Sequence, residues 1–333
     1  MNNYIKLISM RAGNFSIALF IVMLCASIST MAQGDGPRFY WKGLMGTNAV
    51  PVIGSSMGGN ANPVDPSHNV VPGAEFGATV ASVGYAKFLP IFKRAGIISV
   101  IAPMGRISSS INTGIINQQY TARGFGDPMV QVGVNVIGPK PIMNIPDMLR
   151  YEPKFSVDII GSLAIPIGEY DKESPVNIGQ NRWYGRVGAP VVWQLGSWVP
   201  GRRTTLEFLP AVWFFGANKD FVGKELTTEP MFQLEAHLTR DFMERFWGSL
   251  DVISMSGGRA TVDGVEGTSL SNLGVGGTLG FHVNENMQIM LAYSSTINDS
   301  KPEDLNMDSF RLTFTYGWHK LVEGMHRLKS SGE

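Results

Sequence analysis

Near its C-terminal end the chain reads SFRLTFTYGW, Ser309–Trp318. Phe310, Leu312, Phe314, Tyr316 and Trp318 share one parity, and Ser309, Arg311, Thr313, Thr315 and Gly317 share the other. A repeat of two marks a β-strand, whose successive side chains point to opposite faces. The same alternation recurs in Phe232–Thr239, where Phe232, Leu234, Ala236 and Leu238 oppose Gln233, Glu235, His237 and Thr239. It recurs again in Val130–Val136 and Phe155–Ile167. Followed along the chain, the pattern predicts strands over 39–47, 75–89, 95–107, 126–137, 154–167, 182–195, 203–217, 229–240, 245–256, 270–282, 287–297 and 308–318. Only Ile145–Arg150 and the tail beyond His319 suggest short helices.

Two architectures alternate in this way. A soluble β-sandwich turns its apolar face into a core and uses strands of about 5–6 residues. The segments here are near twice that length, and the face opposite the apolar one carries Asp158, Arg186, Glu207, Glu235, Asp251 and Arg311. Aromatic residues gather near segment ends, at Phe39–Trp41, Trp183 and Tyr184, Trp193 and Trp198, Phe246 and Trp247, and Tyr316 and Trp318. Membrane barrels place their interfacial girdles there. In lipid a sheet satisfies its edge hydrogen bonds only by closing on itself. The expected fold is therefore all-β: a single closed antiparallel transmembrane β-barrel of about twelve strands. It should occupy residues 33–318, with a polar C-terminal tail at 319–333. Asp158, Arg186, Glu207, Glu235, His237, Asp251 and Arg311 are expected to line the lumen, while Phe310, Leu312 and Phe314 face lipid.

The connections offer a second test, because outer loops of such barrels are long and inner turns short. Leu89–Arg94, Asp241–Glu244 and Val283–Asn286 are short, whereas 48–74, 108–125, 168–181, 257–269 and 298–307 are long. Gly138–Pro153 breaks the rule, being long on the short side. No motif repeats at 20–50 residues as a propeller or solenoid requires.

Composition narrows the class further. Charged residues make up 16% of the 333, with 27 basic against 27 acidic, where an ordinary soluble domain has about 25% charged. A disordered chain needs more charge, and a nucleic-acid partner needs a basic surplus. At the N-terminus Lys6 and Arg11 precede the apolar run Phe15–Ile28 and the small residues before Gln33. This is the layout of a secretory signal peptide, residues 1–32, cleaved after Ala32. Cleavage removes Cys25, the sole cysteine, so the exported protein is expected to lack disulfides. Leu24 precedes that cysteine where a lipoprotein signal carries a small residue. Export and a barrel together place the protein in the outer membrane of a Gram-negative-type bacterium.

Several strings are distinctive: GDPMVQVGVNVIG (Gly126–Gly138), RVGAPVVWQLG (Arg186–Gly196), EFLPAVWFFGANKDF (Glu207–Phe221) and TEPMFQLEAHLTRDF (Thr228–Phe242). With WGSLDVISMSGGRATVDG (Trp247–Gly264) and GGTLGFHVNENMQIMLAY (Gly276–Tyr293), they resemble the outer-membrane barrel family labelled "putative MetA-pathway of phenol degradation". The resemblance spans about residues 75–318. It implies a transporter-like barrel that takes up small, hydrophobic or aromatic compounds. The polar tail after Trp318 departs from barrels that end on an aromatic residue.

Candidate chemistry is sparse. Of five histidines only His237 sits mid-strand on the polar face, with Glu235 beside it and Ser249 and Asp251 on the next strand. These could form a hydrolytic site, but a polar lumen lining has the same appearance. No zinc spacing occurs, and Asp299, Glu303, Asp304 and Asp308 read as a solvated outer loop rather than a calcium site. Glycines at 274, 276 and 280 are expected to relieve crowding inside the barrel. The expected function is passive uptake of small hydrophobic or aromatic solutes through the lumen, without catalysis, metal or cofactor. The alternatives are a structural or adhesion barrel displaying its outer loops, and a barrel lipid hydrolase. The expected partners are outer-membrane lipid, the solute and the barrel assembly machinery, with no nucleic acid.

Overall fold

The alternating segments close into one antiparallel barrel. The computed structural model describes residues 34–112 and 117–324; the expected signal segment and the end of the tail lie outside them. The chain forms β1 (Asn48–Gly59), β2 (Ala74–Ile91), β3 (Arg94–Asn112), β4 (Asn117–Phe125), β5 (Met129–Ile137) and β6 (Phe155–Ala164). There follow β7 (Tyr184–Gly188), β8 (Val191–Gln194), β9 (Thr204–Phe215), β10 (Asn218–Phe221), β11 (Lys224–Thr228) and β12 (Met231–Asp241). The last are β13 (Phe246–Gly257), β14 (Ala260–Val262), β15 (Val265–Glu266), β16 (Leu270–His282), β17 (Met287–Thr296) and β18 (Met307–Trp318).

The wall has twelve strands. β4 and β5 together make one of them, both pairing with β3. β7 and β8 make another, both lying between β6 and β9. Each break holds a proline, Pro128 or Pro190, which cannot donate to the ladder. The wall closes where β1 meets β18, from Asn48 opposite Trp318 to Gly59 opposite Met307. That seam closes the wall around the lumen, as a sheet in lipid must close.

The faces follow the sequence parity. Phe310 and Leu312 are exposed on the outside of the wall, while Ser309 and Thr313 are buried within it. Inward glycines make room for large neighbours. A Cβ on Gly280 would lie 2.1 Å from the Trp247 indole, which is itself fully buried. Gly280→Ala is therefore expected to destabilise the barrel by about 1–3 kcal/mol, the usual penalty for overpacking, read as a lower urea midpoint.

Above the wall, β10, β11, β14 and β15 form a separate four-stranded sheet. Its β14–β15 turn uses Asp263 (φ 51°) and Gly264 (φ 79°), the left-handed pair that a tight hairpin demands. The helix α1 (Ile145–Leu149), capped by Asn144, occupies the long inner connection. Residues 320–324 make a helical turn just past the wall.

The start of the barrel differs from the expectation. Residues 39–47 are not a wall strand, and the first strand is β1, inside the segment read as an outer loop. That loop shrinks to 60–73. The cause is local: Asn48–Gly59 is rich in small residues and holds Pro51, so it resembles a turn, whereas 39–47 holds the aromatics. Likewise the segment 108–125 is largely ladder, with β3 and β4 paired from Met104–Phe125 to Asn112–Asn117. The segment 257–269 holds β14 and β15. Tyr40, Tyr184 and Trp247 also leave the expected girdle and are buried within the structure, while Trp183 and Trp193 are exposed.

Candidate functional site

The inner face carries unequal chemistry around the barrel. β6 contributes Asp158, β7 Arg186, β9 Glu207, β12 Glu235 and His237; all five are buried. Asp251 of β13 and Arg311 of β18 are half-buried and point the same way. Buried charges of this kind persist only where partners compensate them.

Many of those partners come from one place, the segment of residues 34–47 that precedes β1. It enters beside Asn48 and runs back into the lumen. The backbone carbonyl of Gly34 accepts from Arg311 Nη1 at 2.9 Å. Asp35 pairs with Arg186, and its carboxylate also takes the Tyr40 hydroxyl. Arg38 donates its backbone N–H to Glu207 at 2.8 Å and pairs through Nη1 with Asp241 at 2.7 Å. Its guanidinium lies between the Trp41 and Trp247 rings, 4.3 and 4.2 Å from their centroids, a cation–π sandwich. Trp41 donates Nε1–H to Glu207 at 2.8 Å and packs on Trp198. Lys42 pairs with Asp158. On the far side Phe88, Ala95 and Ile97 meet the Phe39–Lys42 stretch. The segment thus spans the lumen from β2 and β3 across to β9 and β12, as a stopper.

Sequence reasoning missed Asp35, Arg38, Trp41, Lys42, Asp241 and Arg203, which joins Asp241 at 2.7 Å. The available signal was an aromatic cluster flanked by charges and lacking alternation, Arg38–Lys42.

His237 faces two carboxylates rather than a serine. Its Nδ1 meets Asp251 Oδ1 at 2.8 Å and its Nε2 meets Glu235 Oε2 at 3.4 Å, so both ring nitrogens are engaged with carboxylates. A hydrolytic serine needs one of them. Among the described residues no group of three or more His, Cys, Asp or Glu side chains could hold a metal ion. In the acidic loop, Asp304 accepts from the Lys301 N–H and Asp299 from Asn306.

The outer half of the lumen holds an apolar cluster. Phe76, Ala78 and Val80 of β2, Ile107 of β3, and Met231 and Met307 form one cluster with Val176, Ile178 and Leu305 from the outer loops. Val64, Val70 and Val71 of loop 60–73 pack on it. Arg182 pins this cap through Asp65 at 3.2 Å, Ser67 at 3.0 Å and Thr228 at 2.7 Å. Beneath lies His68, fully buried with both ring nitrogens unpartnered and a left-handed backbone (φ 47°). Burial lowers its pKa from 6.5 to about 4, against a weaker opposing pull from Asp65. At neutral pH the ring is uncharged and the cap keeps its full stability. Between about pH 6.5 and 4 an opened cap binds a proton that the closed cap refuses, so closure weakens as pH falls. The loss approaches about 3 kcal/mol below pH 4. Proteolysis within loop 60–73 is expected to speed up from pH 7 to pH 5, and His68→Gln should flatten that dependence.

A closed twelve-stranded barrel with a charged inner lumen defines an outer-membrane-type barrel protein. The model of the family described as "Putative MetA-pathway of phenol degradation" matches residues 60–314, and the chain belongs to that family. Among solved structures, the COG4313 outer membrane channel from Pseudomonas putida F1 is similar with a TM-score of 0.66 and 16% identity, over 85% of this chain and 98% of that one. The autotransporter NalP translocator domain from Neisseria meningitidis matches more distantly, with a TM-score of 0.46 and 12% identity over 83% and 90% of the two chains. No protein of curated function matches the chain.

Proposed function

We propose that the protein is a passive outer-membrane channel for small hydrophobic or aromatic solutes, exported with loss of residues 1–32 and inserted by the barrel assembly machinery. The observation that carries this reading is the stopper. A lumen of paired charges holds residues 34–47, gripped by the side chains of Asp35, Arg38, Trp41 and Lys42 and by the backbone of Gly34 and Arg38. A structural barrel has no need of an occupant of that kind. The apolar cluster of the outer cap supports the solute class, because a hydrophobic molecule can partition among Val, Ile, Met and Phe side chains. Asp158, Arg186, Glu207, Glu235, His237, Asp251 and Arg311 then act as the lumen lining, holding the stopper or contacting the solute. The work is binding and passage without bond chemistry. The test is uptake into liposomes carrying the purified barrel, across a panel of neutral, anionic and cationic aromatics. Entry of at least one aromatic faster than into empty liposomes is expected. No acceleration for any solute would end the reading.

A further inference from the structure

The stopper also indicates what it stands in for. Within five consecutive residues, Arg38–Lys42, it presents two cations and three aromatic rings to the wall. Take it away and the carboxylates of the lumen fare differently. Asp241 keeps Arg203, Glu235 keeps Arg186 and His237, and Asp251 keeps His237 and Thr278. Glu207 keeps only the Thr205 hydroxyl at 2.7 Å, and Asp158 only the Asn135 amide at 2.8 Å. Both are buried, 3% and 4% exposed, and both are left with neutral partners alone. Phe88, Ala95 and Ile97 line the same cavity as Asp158. The vacated space therefore has two acidic points and an apolar surface beside one of them.

Resting on the channel reading above, we infer that Glu207 and Asp158 form a binding site for aromatic cations, a ring bearing a protonated amine or amidine. The ring takes the place of Trp41 beside Trp198, and the ammonium takes the place of Lys42 or the Arg38 N–H. An anion meets two uncompensated carboxylates there, and a neutral aromatic leaves them uncompensated. With the stopper displaced, the same two groups favour cations in the ion current, as acidic side chains do in cation-selective pores.

The test uses the full chain with Arg38→Gln and Lys42→Gln, which loosen the stopper, and the unaltered chain beside it. Unboiled gel mobility confirms folding of each. Benzylammonium, benzyl alcohol and benzoate are the probes, followed by calorimetric titration of the detergent-solubilised barrel and by block of current in planar bilayers. Benzylammonium is expected to bind and block at least tenfold more tightly than either other probe, and more weakly to the unaltered chain, where the stopper competes. The reversal potential in a KCl gradient should favour potassium. Adding Glu207→Gln and Asp158→Asn should bring the three probes within about twofold. Current with equal binding of the probes, or with chloride preference, overturns the site and leaves the channel standing. Preferred benzylammonium binding without any current overturns the channel and leaves the site. Should the quadruple variant fail to fold, Glu207→Gln added alone to the Arg38→Gln, Lys42→Gln chain must still cost benzylammonium tenfold, or the inference falls.

Discussion

Arg38→Gln is expected to convert a barrel that is mostly shut into one that conducts. The guanidinium ties Asp241 at 2.7 Å and fills the gap between Trp41 and Trp247. Removing one member of a buried ion pair costs about 3–5 kcal/mol. Here Arg203 still covers Asp241, so the loss sits at the low end. The whole penalty falls on the state with the stopper seated, because the displaced segment meets water. About 3 kcal/mol shifts the seated-to-displaced ratio by about a hundredfold. Single-channel recording should show rare brief openings in the unaltered chain and long openings in the variant. Unchanged open time would mean that the segment is held by its backbone and apolar contacts instead.

The second large effect concerns the opposite face of the wall. Leu312 lies midway along β18, opposite Gly54 on one side and Leu291 on the other, and is half-exposed on the outside of the barrel. An arginine placed there enters hydrocarbon near the bilayer midplane, at about 2–4 kcal/mol. Thr313 points into the polar interior, where an added guanidinium finds carboxylates and water. Leu312→Arg should therefore lower the yield of heat-modifiable, inserted barrel well below that of Thr313→Arg. The opposite order would shift the register of β18 by one residue and exchange its faces.

The wall was legible in the sequence because lipid imposes a strict rule: outward residues must be apolar, so every strand advertises its period. Phe310, Leu312 and Phe314 obey it, and so do Phe232, Leu234 and Leu238. The first strand was hidden because β1 meets lipid with small residues such as Gly54 and Ser56, which leave a faint alternation. The stopper was hidden for a different reason. Lys42 meets Asp158 across 116 positions of sequence, and nothing local to either announces the other. The inner side of β2 misled in the reverse sense. Phe76, Ala78 and Val80 are inward yet apolar because outer loops cover them, so polarity alone underestimates how much of a lumen can be dry.

The seam between β1 and β18 bears on how the protein can be made. Its two strands register over twelve residue pairs, and Asn48 must find Trp318, 270 positions away. Joining ends so far apart costs only logarithmically more than joining near ones, but the contacts that reward it come last. Hairpins such as β2–β3 or β12–β13 can zip as soon as both arms exist. The cylinder cannot shut until its final arm has been synthesised and delivered. A polypeptide interrupted anywhere before β18 is a curled ribbon with two bare margins, each able to capture strands from other chains. Quality control in the compartment it crosses thus faces an all-or-none substrate: a nonsense change near residue 306 should be as damaging as one near residue 100, and no shortened, partly active barrel should accumulate.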